Sequence, residues 1–213
     1  IAEQTLEGLS GTIILQATQD IILEDLSDDV LNLSNVSSAD DFLMQAGRHI
    51  TFTDTTDSIT TNGGEIHLEA DSPEIGADGT GTLTVGALTS RNAGIYLMGS
   101  DLILNSAINS GNSWVYLGLS QATAMTIGSG VLSNSELQLV TAGYLLNKSK
   151  SAVLAGNAIS TYTTVNPEGL TIDQPISLTT SGGISLSAGT STITIVADLS
   201  IDTRLSVFDA VTL

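Results

Sequence analysis

The chain contains no cysteine. That excludes a disulfide framework and any zinc site built on thiolates. Proline is scarce, at 3 residues in 213, while glycine reaches 21. Proline removes a donor from a paired strand, so its scarcity leaves long ladders open, and glycine supplies the positive φ that tight turns need. Aromatic residues make up 4% against an apolar fraction of 41%, so a core must be built from Ile, Leu, Val and Ala. Cations are few: 5 Lys and Arg stand against 23 Asp and Glu, a formal net charge of −18. Such a chain has little to offer a phosphate backbone and is repelled by anionic lipid, so no nucleic-acid partner is expected. No run of about 18 apolar residues occurs, so membrane insertion through a helix is not expected either. No basic segment with an apolar stretch behind it opens the chain, so a signal peptide is not expected. The chain begins at Ile1 and ends in the apolar run at 210–213, and both ends read as cut from within a longer protein.

What is present is a phrase that returns: GTIILQATQDIILED at 11–25, GGEIHLEAD at 63–71 and GGISLSAGTSTITIVAD at 182–198. Each opens on a glycine and continues as an apolar alternation. Period two is the strand signal, because successive side chains point to opposite faces. Short alternating runs joined by Gly, Asn, Asp and Ser down the whole chain predict a β-solenoid. SSADDFLMQAG at 37–47 offers a helix with Ser38 as its cap, but QAG followed by alternation repeats the phrase at 16–23, so a strand is expected there. ELQLV at 136–140 reads as another strand. Comparable phrases at Ile95, Val115 and Leu137 suggest about 20 residues per coil. The expected fold is all-β, a single parallel β-helix over residues 1–213, with about ten coils and a rod of roughly 45–50 Å. Its terminal coils should expose unpaired edges, giving end-to-end association that rises with salt in light scattering.

The phrases GTIILQATQDIILE (11–24), LMQAGRHITFT (43–53), SITTNGGEIHLEA (58–70) and GGISLSAGTSTITI (182–195) resemble the filamentous haemagglutinin-like adhesins secreted by the two-partner route. The resemblance implies a right-handed parallel β-helix, secreted to the cell surface, and a structural or adhesive role without catalysis. The expected partner is a glycan or protein on a host or neighbouring cell, or further copies of the same chain. No cofactor is expected, with calcium the one candidate. The family's amino-terminal secretion module is not recognisable in this chain, which therefore reads as a fragment of the rod.

Several residues invite a sharper reading. Trp114, Tyr116, Tyr96, Tyr144 and Tyr162 could stack on sugars if they share one outer face. Trp114 and Tyr116 lie two apart on one strand face, with Tyr96 one coil earlier, so these three are the candidate glycan contacts, or else core fillers. His67 lies between Glu65 and Glu69 at spacing two, which makes a carboxylate–imidazole–carboxylate strip or a solvated outer row. Glu24, Asp25, Asp28 and Asp29, and then Asp71, Glu74 and Asp78, are oxygen donors of the kind calcium takes, without matching a known calcium loop, and solvated turns are the simpler reading. GADGTG at 76–81 has no lysine and reads as a turn. Arg48, Arg91, Lys148, Lys150 and Arg204 are scattered, which disfavours the alternative of a carbohydrate-active β-helix enzyme. Thr51/Thr53, Thr82/Thr84 and Thr192/Thr194 form T-x-T pairs whose irregular spacing argues against an ice-binding array. Asn-x-Ser occurs at Asn32, Asn35 and Asn147, at a frequency a Ser-rich chain produces by chance.

Overall fold

The computed structural model describes residues 1–120, 125–127, 130–142 and 144–148, and beyond them the strand segments 170–172, 176–178, 184–187, 192–195, 199–201, 205–207 and 210–212. The apolar run at 152–159, Lys150, Tyr162 and Arg204 lie outside the described residues.

Parallel strands stack side by side into sheets. The first sheet runs Ile13–Ala17, Asp41–Ala46, Glu65–Glu69, Ile95–Gly99, Trp114–Leu119, Tyr144–Lys148, Ile184–Ser187 and Leu205–Val207. The second holds Ile21–Leu23, Ile50–Phe52, Thr82–Val85 and Asp101–Leu104. The third holds Val30–Ser37, Ser58–Asn62, Ala87–Thr89, Ile108–Asn109 and Val140–Thr141. Two further parallel sheets are built by later strands, one beginning at Met125–Ile127 and one at Ile176–Leu178. Through residue 109 the chain visits the first, second and third sheets in that order and then returns to the first. Each return lies beside the previous visit, the connectivity of a parallel solenoid. The strand expected in place of a helix over 37–47 is present at Asp41–Ala46.

Alternation turns into burial through the register. Ile13, Phe42, Ile66, Ile95, Val115, Leu145, Ile184 and Leu205 stand in one column across the first sheet. Two residues along, Leu15, Met44, Leu68, Leu97 and Leu117 form a second column. Phe42, Ile66, Ile95, Val115, Leu68, Leu97 and Leu117 are fully buried, as the period-two pattern in EIHLEA requires of Ile66 and Leu68. The residues between them face outward. One apolar cluster runs from Leu6 to Ala142, and aliphatic side chains make up most of it.

The step along the column is not a uniform twenty. It is 20 residues from Ile95 to Val115, but 29 from Ile13 to Phe42, 24 from Phe42 to Ile66, and 30 from Val115 to Leu145. The extra residues sit in corners, such as the acidic turn at 24–29, and in an irregularity within Val30–Ser37, where the register shifts between Leu33 and Ser37. Leu137 does not continue the column of Ile95 and Val115, because Leu145 takes that place. ELQLV is not a continuous strand: Asn134–Leu137 is a helical turn, and pairing resumes only at Val140–Thr141. The cause is a capping box. The Ser133 amide donates to Glu136 Oε2 at 2.8 Å, and the Glu136 amide donates back to Ser133 Oγ at 3.2 Å. The pair satisfies donors at the turn's amino end.

A second helix, Glu3–Glu7, also departs from the expected all-strand opening. It buries Leu6 in the core cluster and covers the edge of the third sheet. The Asn32 amide, which would otherwise face an absent strand, donates to Glu7 Oε1 at 2.8 Å, and Asn35 Nδ2 donates to the Glu7 carbonyl at 3.3 Å. A covered edge has no free ladder to offer another chain. At the corners leading back to the first sheet, a hydroxyl closes the turn repeatedly. Thr61, Ser90 and Ser110 donate to the carbonyls of Gly64, Ala93 and Ser113 at 2.6, 2.6 and 3.0 Å.

Candidate functional site

The outward column of the first sheet places His67, Tyr96 and Tyr116 in consecutive layers. Tyr96 and Tyr116 stack with ring centroids 4.2 Å apart and planes 11° apart, and His67 stacks on Tyr96 at 5.5 Å and 21°. Rings stacked along the layer direction present their edges, not their faces, to solvent. Tyr116 is only 8% exposed, although its column faces away from the core. Trp114 is different. Its ring stands at 83° to His67 and lies against Gly94, where an added Cβ would come within 2.2 Å of Trp114 Cζ2. The indole is therefore turned roughly at right angles to the stacked rings and lies along the sheet, half-buried. The structure thus brings Trp114, Tyr116 and Tyr96 together outside the core, with Trp114 flat and the tyrosines edge-on.

Polar groups border this patch. His67 Nε2 and Glu65 Oε2 are 2.8 Å apart. Glu69 turns away from the histidine and accepts hydrogen bonds from Gln45 Nε2 at 2.8 Å and Ser72 Oγ at 3.3 Å. Of the three residues at spacing two, Glu65 and His67 form a pair that Glu69 does not join. Gln45 in turn accepts from Gln16 Nε2 at 2.7 Å, so an amide ladder crosses three layers. His49 is taken up structurally, its Nδ1 accepting the Thr82 amide at 3.0 Å. Arg48 pairs with Asp20 at 2.6 Å, and Arg91 Nη1 donates to Asn62 at 3.3 Å. These arginines go to separate partners instead of gathering carboxylates in one groove. Thr51 and Thr84 stack in register on the second sheet, but exposed Ile22 and Ile103 flank them, which breaks up a threonine array.

The acidic turns divide by environment. Asp71 is fully buried, its Oδ1 accepting the Gly79 amide at 2.7 Å and its Oδ2 the Ser120 hydroxyl at 2.6 Å. Asp54 and Asp78 each close a D-x-T turn onto Thr56 and Thr80, and these hydrogen bonds hold both carboxyls below the usual aspartate range. GADGTG is a turn, as expected. Asp71, Glu74 and Asp78 do not converge, whereas Asp25 and Asp29 meet Asp57, a residue the sequence reading passed over. Oxygens of these three lie within 4.8 Å of one another. Beside them a cleft of about 470 Å³, with Asp25 on its wall, opens under the Glu3–Glu7 helix.

Asp57 is fully buried, and burial pushes its carboxyl up, with the charges of Asp54, Asp25 and Asp29 acting in the same direction against one hydrogen bond from the Leu26 amide. A carboxyl whose folded pKa is raised opposes folding once ionised. The penalty is absent below the unfolded value of 3.8 and grows as pH rises through the folded value. With divalent cations chelated, Asp57→Asn is therefore expected to melt above wild type at pH 7, with an advantage that vanishes toward pH 3.5. Thermal melts across that range check it, and an advantage that grows on acidification would contradict the assignment.

Among the described residues no helix is long and apolar enough to cross a membrane. The chain matches no family model, no curated protein and no solved structure.

Proposed function

We propose that the chain is a segment of a non-catalytic, right-handed parallel β-helical rod, carried on the surface of a bacterial cell, that presents its first sheet to a glycan. The carrying observation is Trp114 laid flat on the outer face, with the Glu65–His67 pair beside it. An aromatic face accepts the apolar face of a sugar ring, and carboxylates beside it accept sugar hydroxyls. Tyr96 and Tyr116 stack on each other and, through Tyr96, on His67, whose ring meets the indole edge-on. The resemblance of the recurring phrase to those of the two-partner adhesins and the stack of parallel strands support the same reading. The aliphatic columns hold the scaffold while the outer face meets the partner.

A glycan array followed by titration tests this. Trp114 is the only tryptophan, so its emission reports on the patch directly. Quenching or a blue shift with one glycan class is expected, and an array without hits overturns the adhesive reading. Cleavage of a bound polysaccharide would replace it with a carbohydrate-active enzyme. Gly94→Ala probes the platform without changing its charge. The new methyl group meets the indole and must lift it, at about 1–3 kcal/mol. Red-shifted emission and glycan affinity weakened roughly tenfold, about 1.4 kcal/mol, are expected. Unchanged emission would show that the indole does not rest on Gly94.

A further inference from the structure

We propose that Asp25, Asp29 and Asp57 form a binding site for a hard divalent cation, namely calcium. The inference is independent of what the outer aromatic face binds. Val30 pairs with Ser58 in adjacent strands of the third sheet, so Asp29 and Asp57, each one residue earlier, occupy equivalent corners of successive layers. The Ser58 amide donates to the Asp29 carbonyl at 2.9 Å, which sets the spacing of the two corners. The next equivalent corner is Gly86, which precedes Ala87, the partner of Ser58, and adds no third carboxylate to the stack. Like charges at directly neighbouring strand positions repel. Among the described residues no Lys, Arg or His forms an ion pair with any of the three.

The second observation is the state of Asp57. The side chain is fully buried, one oxygen accepts the Leu26 amide at 3.2 Å, and Oδ2 has no hydrogen-bond partner. A buried carboxylate oxygen without a partner is costly, and a cation among the three carboxylates offsets both that cost and the repulsion. Three carboxylates without histidine or cysteine favour calcium or magnesium over zinc or copper. Calcium binds oxygen at about 2.3–2.6 Å, so its ligands lie up to about 5 Å apart, while magnesium needs a tighter octahedron. Donors within 4.8 Å of one another fit the calcium sphere. Asp25 and Asp29 are exposed, which leaves the remaining coordination positions to water. A bound ion would tie the acidic turn at 24–29 to the next layer.

The test uses the whole chain, stripped with a chelator. Calcium chloride is titrated by calorimetry and by thermal melting, with magnesium chloride and sodium chloride at matched ionic strength as further arms. Saturable calcium binding is expected, with a rise in melting midpoint that sodium does not reproduce. Asp57→Asn keeps an acceptor for the Leu26 amide, so it should fold while binding calcium at least roughly tenfold more weakly. Asp25→Asn should weaken binding too, and serves alone if the Asp57 variant does not fold. Asp41→Asn removes one exposed charge outside the cluster and should bind as wild type. The proposal is overturned if wild type shows no saturable calcium binding, if sodium reproduces the midpoint shift, or if the Asp25 and Asp57 variants bind as wild type does.

Discussion

Ile66→Asp is expected to abolish cooperative folding at room temperature. Ile66 is fully buried in the column between Phe42 and Ile95. An aspartate there loses the packing of a large aliphatic side chain, about 2–5 kcal/mol for truncation alone. It also places a carboxylate where aliphatic side chains surround it, and no column neighbour can donate to it. Burial of an unpaired charge adds several kcal/mol or forces protonation. Together these approach the whole stability of a domain, about 5–15 kcal/mol. The damage spreads because each layer is the template for the next. His67→Asp, one residue along and facing outward, is the matched control and should retain the fold. Circular dichroism and urea melts of the two variants distinguish the faces. A cooperative, wild-type melt in Ile66→Asp would show that the column does not point inward.

Gly81→Ala should be the most damaging small-to-small change at a corner. A Cβ at Gly81 would fall 2.1 Å from the Arg48 carbonyl oxygen and 2.6 Å from the Asp71 amide nitrogen. Both are backbone atoms, and they are hydrogen-bonded to each other at 2.8 Å, so neither can swing aside as a side chain would. The Gly81 carbonyl meanwhile accepts the amide and the hydroxyl of Ser100, at 2.8 and 3.0 Å. One methyl group therefore separates the Arg48 layer from the layers above it. The expected loss lies at the upper end of about 1–3 kcal/mol. At about 2–4 °C per kcal/mol for a chain of this size, the melting midpoint should fall by several degrees. Hydrogen exchange should quicken first at the Asp71 and Ser100 amides. A melt unchanged within a degree would mean that the layers do not meet at this corner.

Much of the site was legible because its geometry is local. Trp114 and Tyr116 share a face by period two, and Tyr96 joins them because Ile95 and Val115 are one layer apart. The Ser133–Glu136 capping box was legible too, as S-x-x-E, but the apolar alternation of ELQLV masked it. The orientation of the indole was not legible. It depends on Gly94 in the neighbouring layer leaving a hollow and on the ring of His67 standing at right angles beside it. Asp57 was missed for a similar reason: in the sequence it is one acid in a polar turn, and only stacking buries it beside Asp25 and Asp29.

The sequence by itself determined which residues alternate, hence that strands form and that Ile66 and Leu68 share a face opposite His67. Each of those follows from a residue and its neighbour two positions away. The tertiary structure alone decided which layer lies on which. Strand-to-strand steps of 20, 24, 29 and 30 residues depend on how many residues each corner holds, and loop closure costs change little with such differences. No local rule therefore sets the register, and it is the register that stacks aspartate on aspartate, tyrosine on tyrosine and tryptophan on glycine.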